Sequence, residues 1–260
     1  MTNLDEIQKK FYSLGISDKL HELNGLPVRF DPNWDYVGIN VSGGADSALF
    51  TSLLAKYIQE NGYKTKIKII SFVRVYTDRP WAGYISIDVY NKLKKMFPDV
   101  IVERIEGFIP PQFEESGPYK NPADPAFSGD RMVVSAYNQY AFKRHNLSRI
   151  YNCVTKNPNV KLNKAPHDRK VSIEDATAEQ QEWSQLHPFK YVEKDWVIEQ
   201  YFVNGWQDLL TTTRSCEGQF EGITWDTYEH GIPLEVCNNC FWCAERKWAM
   251  EEAAKKGYSL

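Results

Sequence analysis

A glycine-rich turn between an apolar strand and a helix constrains this chain more than any other feature of its sequence. The run YVGINV at 36–41 is short and rich in apolar and β-branched residues, which is typical of a buried strand. The turn SGGADS follows at 42–47, and helical periodicity then runs from Ala48 to Gln59, ending near Gly62. A strand, a tight turn and a helix in this order predict a βα unit of a parallel sheet.

The same turn predicts a phosphate site. Free N–H groups and the positive end of the helix dipole converge there, and glycine lets phosphate oxygens approach the main chain. Asp46 would repel phosphate unless a divalent cation bridges them, so Mg²⁺ is implied. The Walker pattern G-x-x-x-x-G-K-S/T and the dinucleotide pattern G-x-G-x-x-G are absent, and the alternative is a ligand-free turn capped by Ser42. The candidate nucleotide-binding residues are Ser42, Gly43, Gly44, Ala45, Asp46 and Ser47.

The rest of the chain continues the alternation of strands and helices. Further strands are predicted at Lys66–Arg74, Val100–Ile105 and Arg149–Val154, and further helices at Ile85–Met96, Met132–His145, Val192–Phe202 and Ala244–Lys256. A helical lead-in at 5–20 and a linker at 24–34 precede them. A proline-rich loop at 107–130 and a polar insertion at 156–185 interrupt them. Together these elements predict an α/β fold with a Rossmann-like parallel sheet of about four strands.

The composition excludes several classes of protein. Hydrophobic residues are 42% and aromatic residues 14% of the chain, which is far above the content of disordered proteins. A net charge of −3 lacks the basic excess that nucleic-acid binding usually leaves, so nucleic acid is not expected as a partner. No secretory signal is recognisable, and no stretch approaches the ~20 apolar residues of a membrane span. We therefore expect a cytoplasmic protein without a membrane partner.

Four of the five cysteines have the spacing of metal ligands. Cys237, Cys240 and Cys243 form a C-x-x-C-x-x-C run, and Cys216 stands 21 positions before it. In a reducing compartment, four thiolates at these gaps predict a structural zinc site. An iron–sulfur cluster accepts the same gaps, and a set of inert buried cysteines is the third alternative. The fifth cysteine, Cys153, ends a predicted strand and is expected in the core rather than as a nucleophile.

Both motifs resemble those of known enzymes. The turn SGGADS resembles the SGGxDS pyrophosphate loop of the N-type ATP pyrophosphatase superfamily, whose members split ATP between the α and β phosphates and adenylate an oxygen of the substrate. The late segment TTTRSC at 211–216 and the run C-x-x-C-x-x-C-x-x-R, which ends at Arg246, are similar to the 7-cyano-7-deazaguanine synthase family. That family has the same motifs in the same order.

The resemblance implies a fold and its domains. The expected fold is the Rossmann-like sheet of the adenine nucleotide alpha hydrolase type with a zinc-bound helical tail. Three parts are expected: an N-terminal helix and linker at 1–35, an ATP pyrophosphatase core at 36–215 and a zinc-binding segment at 216–260. The implied zinc ligands are Cys216, Cys237, Cys240 and Cys243.

The resemblance also implies a reaction. ATP with Mg²⁺ would adenylate the carboxylate of 7-carboxy-7-deazaguanine, ammonia would displace AMP to give an amide, and a second ATP would activate the amide for dehydration to a nitrile. Arg131 lies in a segment similar to one that opens a helix in the family, and Lys194 ends a segment similar to one before the next helix. The implied catalytic residues are Asp46, Arg131 and Lys194.

Other segments depart from the family. Where its members carry substrate motifs, this chain reads VYTDRP at 75–80 and TKNP at 155–158, and its insert at 217–235 is longer. These departures leave open a protein amine as acceptor, as in a branch of the family found in antiphage defence operons of the CBASS type. A tRNA-modifying enzyme of the same superfamily and a nucleotide sensor without turnover are the remaining alternatives. A homodimer is one candidate assembly.

Overall fold

Strands and helices alternate along the chain, as the sequence predicts. The computed structural model describes residues 5, 8–9, 19–74, 81–110, 129–162, 185–216 and 236–260, without the side chains of residues 74 and 129–131. Its strands are β1 (Leu20–Leu23), β2 (Leu26–Arg29), β3 (Tyr36–Asn40), β4 (Lys66–Arg74), β5 (Ile101–Ile109), β6 (Arg149–Tyr151) and β7 (Gln185–Leu186). Its helices are α1 (Ala45–Glu60), α2 (Ala82–Met96), α3 (Gly129–Arg144), α4 (Lys194–Val203), α5 (Gln207–Thr212) and α6 (Phe241–Lys255).

Five strands form a Rossmann-like sheet that has the glycine turn at its centre. The strand order is β5-β4-β3-β6-β7, and all neighbouring strands run parallel. The chain therefore winds from β3 to one edge and then returns to add β6 on the other side of β3. In open α/β sheets, ligands bind at the carboxyl ends of the strands where this direction reverses. The turn at 42–47 follows β3 and lies at that position.

Helices cover both faces of the sheet, as a parallel sheet requires. Helix α1 is buried along most of its length and shares one apolar core with α2 and the C-terminal helices. Ala141 of α3 belongs to a second core, with Ile70, Ile105 and Ile150 of the sheet. Each fully buried Leu or Ile contributes about 2 kcal/mol. The burial of α1 thus fixes the position of the turn that precedes it.

The C-terminal helices pack over α1. Val197 and Ile198 of α4 and Ala249 and Ala253 of α6 are buried in the core that contains α1. The segment that carries the cysteines therefore belongs to the same packed body as the glycine turn.

The predicted linker at 24–34 is wrong over its first half. Strands β1 and β2 form an antiparallel hairpin. Asn24 and Gly25 connect them with φ of 49° and 79°, the left-handed conformation that a two-residue hairpin turn requires. The buried side chains of this stretch are Leu20, Leu23, Leu26, Val28 and Phe30. It is therefore a part of the core and not a spacer.

The other predicted strands and helices are present, and all of them except β4 have shifted ends. The sheet has five strands rather than about four, because β7 consists of two residues and is too short to show a pattern. Strand β5 continues to Ile109, into the segment predicted as a loop, and β6 stops at Tyr151. Most of the lead-in at 5–20, the loop at 107–130 and the insertion at 156–185 lies outside the described residues. Within the described ranges, no helix is both long and apolar enough to span a membrane.

Candidate functional site

The turn at 42–47 begins α1 with backbone hydrogen-bond donors that the helix does not use. Gly44 is the N-cap residue, and the described part of the chain supplies no side-chain cap. The first helical hydrogen bond is donated by the N–H of Ala48 to the carbonyl oxygen of Gly44, at 3.3 Å. The N–H groups of the three residues between them have no partner within the helix. Three donors and the positive end of the helix dipole at one point are able to bind an anion such as phosphate.

Neighbouring segments hold the turn in place. Gly43 has a φ of +84°, and a Cβ at this position would lie 2.8 Å from Cγ2 of Ile85 in α2. The N–H of Arg214 donates to the carbonyl oxygen of Gly43 at 2.9 Å, and the hydroxyl of Tyr201 donates to that of Ala45 at 2.6 Å. Burial raises the pKa of Tyr201 well above its usual range, so its hydroxyl remains a donor. The main chain of the turn is thus fixed from both sides.

Lys194 and Asp46 meet at the start of α1. The Lys194 Nζ lies 2.5 Å from both carboxylate oxygens of Asp46, although 148 residues separate the two in sequence. The side chain of Lys194 is 2% exposed and that of Asp46 is 16% exposed. A buried ammonium is stable only beside a counter-charge, which Asp46 supplies. The structure thus brings together two of the three predicted catalytic residues and places a positive charge beside the start of α1.

The third predicted catalytic residue, Arg131, lies in the first turn of α3. This helix returns the chain from the carboxyl end of β5 to the amino end of β6, so it begins on the carboxyl side of the sheet. The side chain of Arg131 is not among those that the structure describes, and its role stays a prediction.

The four predicted metal ligands form one cluster. The Sγ atoms of Cys216, Cys237, Cys240 and Cys243 all lie within 4.8 Å of one another. Two of the separations are 3.5 Å and 3.9 Å. Thiolates around one tetrahedral Zn²⁺ lie about 3.8 Å apart, given Zn–S bonds of about 2.3 Å. The cluster therefore fits a single tetrahedral ion, whereas a four-iron cluster, in which each cysteine binds a separate iron, requires wider spacing.

The surroundings tie this cluster to the glycine turn. Trp81, which precedes α2, is buried against Cys216 and Cys240, and the guanidinium carbon of Arg214 lies 4.2 Å from the centre of its ring. On α6, Arg246 donates to the carbonyl oxygens of Thr213 and Leu210 at 3.1 Å and 2.9 Å. Burial raises the pKa of the Cys243 thiol, and Cys240 adds to this rise. The segment at 210–216 thus contacts both the cysteine cluster and the turn.

Cys153 is part of the core, as predicted. It is buried beside α1, and this burial together with the charge of Asp46 raises the pKa of its thiol well above the ordinary value. Because the thiolate is the nucleophilic form, this burial disfavours a nucleophilic role for Cys153. The only other cysteines of the chain are the four in the cluster.

Comparison with known proteins gives similarities of fold only. No protein-family profile matches the sequence, and neither does any curated protein. The U34-tRNA thiolase NcsA from Methanococcus maripaludis, solved with its 4Fe-4S cluster, is 11% identical, with a TM-score of 0.46 over 97% of this chain and 74% of its own. NMN synthetase from Francisella tularensis is 13% identical, with a TM-score of 0.46, and the match covers 100% of this chain and 98% of the synthetase. NAD+ synthetase from Burkholderia pseudomallei is 12% identical, with a TM-score of 0.43, and the match covers 99% of this chain and 90% of the synthetase.

Proposed function

We propose that this protein is an ATP-dependent, AMP-forming ligase that activates a carboxylate and transfers it to nitrogen. One observation carries the proposal. The uncapped start of α1 and the Lys194–Asp46 pair lie together, at the position where the strand order of the sheet changes direction. Backbone N–H groups and an ammonium both bind phosphate oxygens, and Asp46 offers oxygen ligands to a divalent cation. A turn with only a structural role would not require a buried lysine beside it.

The proposed reaction needs no nucleophile from the protein. The carboxylate of the substrate attacks the α-phosphorus of ATP, the bond between this phosphorus and the bridging oxygen of the β-phosphate breaks, and an acyl-adenylate and pyrophosphate form. An amine then attacks the acyl carbon and loses a proton, and AMP leaves, so that an amide remains. The N–H groups of the turn and Lys194 would stabilise the negative charge on the departing pyrophosphate.

The residues present also fit the cations that such a reaction uses. When bound, Mg²⁺ supplies charge neutralisation for the phosphates, and Asp46, as the more exposed member of its pair, would hold it. We propose zinc as the ion of the four-cysteine cluster, on the strength of the Sγ separations. Its role there would be to join the segment that ends at Cys216 to the start of α6.

We propose 7-carboxy-7-deazaguanine as the acid and ammonia as the nitrogen donor. This proposal rests on the similarity of the two motifs to 7-cyano-7-deazaguanine synthases. The departures at 75–80 and 155–158 and the long insert at 217–235 support a protein amine as the alternative acceptor, because a larger acceptor needs a different entrance to the site. A thiolating enzyme usually requires a reactive cysteine pair, whereas Cys153 lies in the apolar core and the other four cysteines form the cluster, so this alternative has less support.

Mass spectrometry of the products tests the proposal. The protein is incubated with Mg·ATP and 7-carboxy-7-deazaguanine, with ammonium in one arm and proteins from neighbouring genes in the other. We expect AMP and pyrophosphate only when the acid is present, together with an amide or nitrile in the first arm. A deazaguanine adduct on a protein, without free amide, would replace ammonia by a protein amine. ATP binding without release of pyrophosphate in the presence of any acid would identify a sensor instead.

A further inference from the structure

Three amide side chains form a row across the sheet, close to the glycine turn. Asn40 is the last residue of β3, and its Nδ2 donates to the Oδ1 of Asn152, the residue after β6. The Nδ2 of Asn152 donates in turn to the Oε1 of Gln185 in β7. We call these three residues the amide row. Asn40 and Asn152 lie at the carboxyl ends of β3 and β6, between which the strand order changes direction and ligands bind in open α/β sheets.

The amide row lies on the face of the sheet that α3 covers. Successive side chains of a strand point to opposite faces, and Val37 and Ile39 of β3 belong to the core that contains α1. Asn40 therefore points to the other face. Ile70, its neighbour in register on β4, belongs there to the core that contains Ala141 of α3. The amide row thus borders this second core at the carboxyl end of the sheet.

A fourth amide side chain, that of Asn138 in α3, is buried over the same face. Asn138 precedes Ala141 by about one helical turn, and α3 begins on the carboxyl side of the sheet, so Asn138 lies nearer to the carboxyl ends of the strands than Ala141 does. Tyr137 packs on Phe72 of β4, and the next residue along a helix is turned by about 100°. This turn directs Asn138 toward β3 and β6, where the amide row lies.

The polar atoms of Asn138 and Asn40 are not fully used within the protein. Asn138 is fully buried, and in the described part of the chain neither its Oδ1 nor its Nδ2 has a hydrogen-bond partner. The Oδ1 of Asn40 is buried and has none among the same residues. Such atoms are rare, because an unpaired buried amide is less favourable than an apolar side chain of the same shape. The space between α3 and the amide row is therefore suited to a polar ligand.

We propose that Asn138 and the amide row bind the edge of a planar nitrogen heterocycle, and that Asn138 determines which edge is accepted. A primary amide presents a donor beside an acceptor, so it pairs through two hydrogen bonds with an edge that does the same. The amide row fixes the orientation of Asn40, because the Nδ2 of Asn40 is used by Asn152 and its Oδ1 faces the ligand as an acceptor.

This inference rests on the proposed function, because Asn40 stands two residues before the glycine turn and the proposed reaction uses two heterocycles of this kind. The ring of 7-carboxy-7-deazaguanine presents a lactam N–H beside a carbonyl oxygen. The adenine of ATP presents an amino group beside a ring nitrogen. Both edges offer a donor next to an acceptor, so the experiment compares the two ligands.

Calorimetric titration of Asn138→Leu tests the site with three ligands. They are Mg²⁺ with inorganic triphosphate, Mg·ATP, and 7-carboxy-7-deazaguanine in the presence of an ATP analogue that cannot be cleaved between the α and β phosphates. We expect at least ~10-fold weaker binding of a heterocyclic ligand and unchanged binding of triphosphate, which has no heterocycle. A loss for Mg·ATP identifies adenine as the occupant, whereas a loss for the acid at unchanged affinity for Mg·ATP identifies the ring of the acid. Asn91→Leu is the matched control, because Asn91 is exposed on α2, and it should leave all three affinities unchanged.

Thermal unfolding without ligand separates binding from folding. Asn138→Leu replaces unpaired buried polar atoms by apolar ones, so it should unfold at a temperature no lower than that of the natural protein. If the larger side chain does not fit, Asn138→Ala adds no atoms and should give the same pattern of affinities. Unaltered affinity for both heterocyclic ligands, or an equal loss for inorganic triphosphate, overturns the proposed site. If the natural protein binds neither Mg·ATP nor the acid, the proposed function fails, and this inference fails with it.

Discussion

Lysine is rarely buried as deeply as Lys194, because removing its charge from water costs several kcal/mol unless a counter-charge compensates. Its ammonium lies 2.5 Å from both oxygens of Asp46. We predict that Lys194→Met lowers the free energy of unfolding by about 3 kcal/mol, since it leaves the partly buried Asp46 carboxylate without its ammonium partner. Pyrophosphate release should fall at least ~100-fold, because an ammonium beside the phosphates is lost. Urea unfolding and a pyrophosphate assay measure the two effects.

Lys92 provides the matched control for this prediction. It forms an ion pair with Asp208 at 3.1 Å, but the two side chains are 34% and 89% exposed. Exposed pairs contribute at most about 1 kcal/mol, so Lys92→Met should change stability by no more than that. Equal losses of stability from the two substitutions would show that burial does not set the strength of the Lys194–Asp46 pair.

Substitutions at Gly43 and Gly62 separate two effects of an added side chain, which are a clash with neighbouring atoms and the strain of a positive φ. Both have positive φ, +84° and +65°, but a Cβ at Gly43 would lie 2.8 Å from Ile85 whereas one at Gly62 would have open space around it. We predict that Gly62→Ala costs about 1 kcal/mol of stability and leaves ATP affinity unchanged. Gly43→Ala should cost about 3 kcal/mol and weaken ATP binding at least ~10-fold, because α2 and the turn must move apart. Calorimetry of both variants distinguishes the two effects.

At the scale of helices and strands, the sequence predicts long elements well and short ones poorly. Strand β4 has the predicted ends, because its nine residues are long enough to show an apolar, β-branched pattern. Strand β7 has two residues and therefore no periodicity to detect. The hairpin of β1 and β2 was open to prediction, since Asn-Gly at 24–25 is a strong hairpin signal. Pro27 pointed instead to a linker, but proline is tolerated at this edge position of a two-stranded sheet.

The cysteine cluster belongs to this scale because it joins the segment at 210–216 to the start of α6. We predict one metal ion per chain, and we expect its removal by a chelator to lower the unfolding temperature by about 10 °C. ATP affinity should fall as well, because the N–H of Arg214, two residues before Cys216, holds the carbonyl oxygen of Gly43. Elemental analysis, thermal unfolding and calorimetry measure the three quantities.

Two cysteine variants provide the controls for metal removal. Cys240→Ser should lose the ion, because Cys240 is one of the four clustered ligands. Cys153→Ala should keep one ion per chain, because Cys153 lies in the apolar core outside the cluster. Full metal content in Cys240→Ser, or normal stability after chelation, would contradict a structural metal at the cluster.

For the whole molecule, the site could be predicted only where its residues are neighbours in sequence. The glycine turn and three of the four cysteines are local motifs, and their spacing carries the chemistry. Lys194 was found through a resemblance and not through a pattern of its own. Arg246 is recognisable as the last residue of the cysteine motif, but its contacts with Leu210 and Thr213 are not. Tyr201 and Glu245 carry no signal in the sequence, because they reach the site through packing of the C-terminal helices over α1. Contacts between distant segments leave no periodicity in the sequence, whereas topology places such segments side by side.

The stability of the whole fold should also depend on pH through His187. Burial lowers the pKa of His187 from 6.5 to about 4, and nearby Lys190 adds to this effect. The unfolded chain takes up a proton near pH 6.5, but the folded protein does so only near pH 4. Stability from His187 is therefore complete above about pH 6.5 and is lost progressively as the pH falls, by about 2 kcal/mol at pH 5.

A variant without this titration isolates the contribution of His187. His187→Gln remains neutral in both the folded and unfolded states. The free energy of unfolding should therefore fall between pH 8 and pH 5 by about 2 kcal/mol less in His187→Gln than in the natural protein. Urea unfolding at the two pH values measures this difference, and the value at pH 8 serves as the internal control because histidine is neutral there. If both proteins lose the same free energy of unfolding between pH 8 and pH 5, groups other than the buried His187 imidazole cause the acid sensitivity.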